Sequence, residues 1–140
     1  MSSLEKVGPI NLATYPEPAR GTLTVVESGH SIPFPIARLF YIYGLRGDCE
    51  RGAHAHRESE QVFIAVSGSF LLSVTDVRQT KSYVMKEPSR AIYVPPMLWT
   101  RLYDFSEDAV CLVLTNSLYN PADYIRNWDE FVLVAGEEPG

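Results

Sequence analysis

A chain of 140 residues, 46% of them hydrophobic, has material for one domain with a proper core and too little for two, so a single domain over residues 1–140 is expected. The formal net charge of −5 argues against general phosphate-backbone binding, and so against nucleic acid as a partner, but a local cluster of arginines could still hold one small anion. No basic and then apolar leader opens the chain, no apolar run approaches the roughly 20 residues of a membrane-spanning helix, and Cys49 and Cys111 are too few for a disulfide framework or a thiolate zinc site; the expectation is a cytoplasmic protein without a membrane partner.

Along the chain, residues 21–27 and 36–44 are the first runs with strand length and strand composition, and Gly47-Asp48 reads as the turn that follows. Next comes Arg51-Gly52-Ala53-His54-Ala55-His56, also of strand character. Successive side chains of a strand alternate, so His54 and His56 project to one face, Ala53 and Ala55 take the other, and Gly52 lets the backbone bend. Further strands are predicted over residues 61–67, 69–77, 81–86, 91–94, 99–105 and 109–115, punctuated at Ser67-Gly68, 76–79, Pro95-Pro96 and 106–108. Many closely spaced strands without helical periods between them favour a sandwich, jelly roll or barrel over an α/β fold. Residues 39–43 and 110–114 are almost wholly apolar, which predicts strands buried on both faces or covered by a partner subunit. The tail reads as a turn at Asn120-Pro121-Ala122-Asp123, then a short helix over 128–134 with Asn127 as N-cap and Gly136 as its stop, and residues 136–140 as a frayed end.

The paired imidazoles suit a metal clamp or a proton-transfer pair. Gly47, His54, His56, Glu60 and Gly68 resemble the first motif of the cupins, in which His-x-His and a Glu supply three metal ligands. The second cupin motif falls on residues 95–100, where Met97 takes the glycine slot and Thr100 the slot of the fourth-ligand histidine, so that ligand is absent. His30, the remaining histidine, lies in a loop far upstream. In the metal-free reading an imidazole near neutral pKa moves a proton beside a carbonyl, with Glu58 or Glu60 orienting one ring. The plainest alternative is a pair of half-buried strand histidines with structural hydrogen bonds.

A longer ordered set narrows the choice. Arg51 to His56, Glu60-Gln61, Ser67-Gly68-Ser69, Val94-Pro95-Pro96 with Trp99, Tyr103-Asp104-Phe105-Ser106, Asp123-Tyr124-Ile125-Arg126-Asn127 and Glu130-Phe131 resemble the TDP-sugar 3,4-ketoisomerases across nearly the whole stretch from Arg38 to Phe131. The resemblance implies an all-β, cupin-type jelly roll with a short C-terminal helix, an intimate homodimer, and transfer of the keto group of TDP-4-keto-6-deoxyglucose from C4 to C3 without metal or organic cofactor. It also implies a place in making 3-amino-3,6-dideoxyhexoses for bacterial surface polysaccharides.

On that basis His54 is expected as principal base and His56 as partner acid or hydrogen bonder. Arg46 and Arg51 are candidates for the pyrophosphate, Arg101 is a third, and an aromatic among Tyr41, Tyr43, Tyr93, Trp99 and Tyr103 could stack on thymine or bond the sugar. Asp123 to Arg126 is expected to be a structural tether. Thr100 stands where family members commonly carry a histidine, and with Arg20 it bears on which face of C4 receives the proton. Two other functions compete: a metal-dependent cupin enzyme using His54, His56 and Glu60, and a non-catalytic sugar-nucleotide binding module.

Overall fold

The structure, a computed structural model, describes residues 3–46 and 48–137; Gly47, expected in a turn, lies outside the described residues. Twelve strands run β1 (Gly8–Asn11), β2 (Ala13–Glu17), β3 (Gly21–Val25), β4 (Arg38–Ile42), β5 (Glu50–His56), β6 (Gln61–Ser67), β7 (Phe70–Thr75), β8 (Thr80–Met85), β9 (Arg90–Val94), β10 (Trp99–Tyr103), β11 (Val110–Thr115) and β12 (Tyr124–Ile125), followed by helix α1 (Trp128–Glu137). They form two five-stranded antiparallel sheets, ordered β1, β9, β6, β11, β4 and β12, β5, β10, β7, β8, plus the separate hairpin β2–β3. This is the expected all-β jelly roll with one short terminal helix.

Period-2 alternation decides where each side chain goes. Phe63 and Ala65 of β6, Cys111 and Val113 of β11, Leu72 and Val74 of β7 and Leu102 of β10 point between the sheets and build the main core. Val62, Ile64 and Leu114 point out of the first sheet, where Leu12, Ile32 and Phe34 cover them. β6 is therefore buried on both faces. On the outside of the second sheet Ala55 and Trp99 pack with Ile125 and with Phe131 of α1.

Of the two alternatives for residues 39–43, burial on both faces within the chain is not met. β4 lies at a sheet edge; Phe40 and Ile42 pack inward, but Leu39, Tyr41 and Tyr43 are 51%, 59% and 70% exposed, so its outer face is uncovered in the isolated chain. At the tail, Asn127 caps α1 as expected, its Oδ1 accepting the Glu130 amide at 2.9 Å. Gly136 does not stop the helix, which runs through it to Glu137; a helix interior tolerates a glycine at a cost of about 1 kcal/mol. Residues 138–140 of the expected frayed end lie outside the described residues. Among the described residues no helix is long and apolar enough to cross a membrane.

Candidate active site

One end of the space between the sheets remains open as a cavity of about 210 Å³. Phe40 and Ile42 of β4, Gln61 and Phe63 of β6, Val113 of β11 and Thr100 and Leu102 of β10 line it, with Arg51, Gly52 and His54 of β5 and with Tyr124 and Arg126 at β12. Apolar walls and a few convergent polar groups are what a small-molecule site needs.

Arg51 and His54 are three residues apart, and on a regular strand they would face opposite ways. A β-bulge brings them together. β5 pairs Thr100 with His54 but Leu102 with Arg51, so Gly52 and Ala53 stand opposite the single residue Arg101. Gly52 takes φ +69°, a left-handed conformation that favours glycine, while the Leu102 side chain packs close to it. The Thr100 hydroxyl donates to the Gly52 carbonyl at 3.1 Å and steadies the bulge.

Beyond the bulge, alternation resumes and His54 and His56 share a face, with ring centroids 5.0 Å apart and planes at 86°. The Tyr124 ring packs against both, at 4.9 and 4.4 Å, because Tyr124 pairs with His56 across the two-residue strand β12. His54 lines the cavity; His56, only 4% exposed, stands behind it. His56 Nδ1 lies 2.8 Å from Asp123 Oδ2. Asp123 also accepts from the Ser59 hydroxyl at 2.5 Å and from the Glu58 amide at 2.7 Å.

These contacts set the charges. Burial, then His56 and the guanidinium groups of Arg126 and Arg51, push His54 down to about 4. His56 is also lowered: burial, helped by Arg38 and Arg126, outweighs the pull of Asp123. Burial on its own would raise the Asp123 carboxyl, but bonds from Ser59, His56 and the Glu58 amide hold it below its ordinary value. At neutral pH both imidazoles are therefore neutral beside an ionised carboxylate. His56 gives its Nδ1 proton to Asp123, which leaves Nε2 as a buried acceptor with no hydrogen-bond partner among the described residues. Arg126, its guanidinium 4.2 Å over the Tyr124 ring, and the exposed Arg51 place positive charge on the cavity lining.

A neutral base in an apolar cavity flanked by two cations fits an anionic substrate that loses a proton. The family profile described as "FdtA: WxcM-like, C-terminal" matches residues 5–136. The chain belongs to this family of sugar 3,4-ketoisomerases. The TDP-4-oxo-6-deoxy-alpha-D-glucose-3,4-oxoisomerase of Aneurinibacillus thermoaerophilus is 37% identical over 113 residues, 81% of each chain. The fold superposes with a TM-score of 0.91 on a histidine-to-asparagine variant of QdtA, the 3,4-ketoisomerase of Thermoanaerobacterium thermosaccharolyticum, in complex with TDP-4-keto-6-deoxyglucose, at 33% identity and 94% of each chain. A 3,4-ketoisomerase of Helicobacter canadensis superposes at 0.90, with 36% identity, 94% of this chain and 98% of that one.

Within this ketoisomerase chain the structure separates the residues singled out from sequence. Arg51, His54 and Thr100 line the cavity, with His56 directly behind. Trp99 and Arg101 alternate with Thr100 and Leu102 on β10 and so face away: Trp99 packs against Trp128 and Phe131 under α1, and Arg101 pairs with Glu50 over the Tyr103 ring. Tyr43 is exposed and stacks on Tyr41 along the outer face of β4, with ring centroids 5.8 Å apart. Arg46 is exposed in the loop after β4 and does not line the cavity. Arg20 sits at the turn of the β2–β3 hairpin in a bidentate pair with Glu17 at 2.8 Å, away from the cavity of its own chain.

The residue expected to orient a histidine also differs. Glu60 is engaged by the Tyr93 hydroxyl at 2.6 Å and the Asn116 amide at 2.8 Å, and Glu58 contributes its backbone amide to Asp123. The carboxylate beside His56 is that of Asp123, from the segment read as a tether. The three-ligand clamp of His54, His56 and Glu60 does not form, and among the described residues no three His, Cys, Asp or Glu side chains are grouped to hold a metal ion. Asp123, Tyr124 and Arg126 are the site residues that sequence reasoning placed elsewhere. Tyr124 and Arg126 face the cavity and the fully buried Ile125 the other side, but a strand of two residues is too short for that alternation to show in the sequence.

Proposed function

We propose that this chain moves the keto group of TDP-4-keto-6-deoxyglucose from C4 to C3, with His54 as the base, and so supplies the 3-keto sugar from which 3-amino-3,6-dideoxyhexoses of bacterial surface polysaccharides are made. The observation that carries the reading is His54 itself, a neutral imidazole on the wall of a cavity that Arg51 and Arg126 also line. The C3–H bond is acidic beside the C4 ketone. His54 takes that proton, and the electron pair passes through C3 and C4 to O4 as an enediolate. The O3 proton then moves to O4, the imidazolium exchanges its proton with solvent and delivers one to C4, and the carbonyl closes at C3. Atoms and electrons balance within the sugar, so the step needs no oxidant or cofactor.

His56 and Asp123 serve this chemistry from behind, by keeping His54 beside a neutral ring and by offering the Nε2 acceptor. The arginines suit the diphosphate through charge-assisted bonds. The apolar outer face of β4, with the β2–β3 hairpin that pairs with no other strand, suits a homodimer in which a second copy covers both.

Incubation with TDP-4-keto-6-deoxyglucose in deuterated water, followed by NMR, tests the reading. The expected outcome is a 3-keto product with deuterium at C4, turnover that survives EDTA, and a His54→Asn variant about 10²- to 10⁴-fold slower that still binds TDP. Binding without turnover in the wild type would make the chain a binding module. Loss of activity with EDTA, restored by a divalent metal, would return the metal-dependent alternative.

A further inference from the structure

The Asp123 carboxylate that meets His56 is itself the end of a line of hydroxyls, from Ser59, Ser117 and Thr115. Ser59 Oγ lies 2.5 Å from Asp123 Oδ2 and 2.5 Å from Ser117 Oγ, and Ser117 Oγ lies 3.3 Å from Thr115 Oγ1. Ser59 is 3% exposed and Thr115 is fully buried, so the protein supplies the hydrogen bonds these hydroxyls need.

The donor directions follow from counting protons. An ionised carboxylate only accepts, so the single Ser59 hydroxyl proton goes to Asp123. Ser59 can then only accept from Ser117, and the Ser117 proton goes to Ser59. Thr115 Oγ1 accepts the Ser117 amide at 3.0 Å and turns its own proton towards Ser117, whose carbonyl oxygen is 3.2 Å away. The Ser117 and Ser59 hydroxyls thus both point their protons towards Asp123, Thr115 holds the Ser117 backbone, and His56 Nδ1–H meets the same oxygen from the other side. The line joins the β5–β6 loop to the end of β11 and the turn before β12, three places that packing alone could join with apolar side chains.

We propose that Ser117 and Ser59, with Thr115 holding the Ser117 backbone, form a hydroxyl relay that shares the negative charge of Asp123 and so moderates its pull on His56, which makes Ser59 a positioning residue for the ketoisomerase reaction. The relay concerns His56, and its catalytic consequence rests on the reaction proposed above. Ser59 shares the negative charge of Asp123 Oδ2. Without its hydroxyl the carboxylate draws harder on the imidazole and favours imidazolium. The charged and titratable groups that face His56 are Asp123, His54, Tyr124, Arg38 and Arg126, and the Ser59→Ala change leaves all of them in place.

The test uses the full chain and its Ser59→Ala and Ser117→Ala variants, with the ring nitrogens of His56 followed by NMR from pH 4 to 9 in the absence of substrate. In the wild type, Nδ1 carries the proton at neutral pH and Nε2 is bare. In Ser59→Ala the His56 midpoint rises by about 0.5–1 pH unit, and in Ser117→Ala by less, in the same direction. The acid limb of kcat/KM moves up with it, and KM at neutral pH stays within about twofold. Folded variants with the wild-type midpoint and acid limb, or a defect confined to KM, would overturn the relay. If Ser59→Ala does not fold, Ser117→Ala decides. A wild type that turns over no TDP-4-keto-6-deoxyglucose would defeat the reaction proposed above, while the substrate-free midpoints would still judge the relay.

Discussion

His54 and His56 both resist protonation in the folded chain, chiefly because burial disfavours the imidazolium. The same resistance weakens the fold in acid. The unfolded chain takes up these protons near pH 6.5, whereas folded His54 refuses its proton until about pH 4 and His56 is shifted the same way. Between those limits the unfolded state binds more protons, so stability is full above about pH 6.5 and falls as the pH drops towards 4. Asp123, lowered in the folded state, adds a further loss as the pH falls through its ordinary value of 3.8 and below. Thermal unfolding followed from pH 7.5 to 4.5 should show the midpoint falling, and His54→Asn should make that fall shallower. A wild-type midpoint flat across this range would mean that the two rings are not held neutral by burial.

Two glycines in left-handed backbone set the geometry of the strands, and they differ in what surrounds them. At Gly52, φ +69°, a Cβ would meet nothing nearer than the Leu102 side chain at 3.6 Å, so Gly52→Ala should cost about 1–2 kcal/mol from backbone strain. At Gly68, φ +63°, a Cβ would also press on Ser106, Asp108 and the Ala109 amide at 2.7 Å, and the cost should reach about 3 kcal/mol or more. Urea unfolding ranks them, and Gly52→Ala should lose more turnover than its stability explains, because the bulge aligns Arg51 with His54. That bulge also marks where the sequence ceased to be legible. Alternation of apolar residues located β3 to β11 and the shared face of the histidines, but an extra residue resets the count, so Arg51 and His54 on one wall could not be read from spacing. β1 and β2 escaped notice because Pro9 and Pro16 interrupt them, which an edge strand and a free hairpin tolerate. β12 has two residues, too few to show a period, and with it went the roles of Asp123, Tyr124 and Arg126.

At the scale of the whole molecule, the apolar outer face of the edge strand β4 is exposed and the β2–β3 hairpin pairs with neither sheet, and such an edge is a hazard unless something covers it. For the proposed homodimer, Tyr41→Glu should put a charge in the interface; sedimentation should then find a monomer where the wild type is a dimer, and a monomeric wild type would reject the interface. The pairing of His56 with Asp123 has a different reach. The two residues are 67 positions apart, and Asp123 is brought in by a two-residue strand close to the terminal helix. On the ribosome, where about 5–20 residues are added each second, the histidine segment emerges several seconds before its carboxylate. A nascent chain that has already paired β5 with β10 therefore still lacks the carboxylate that meets His56, so the site is completed later than the strand pair on which it is built.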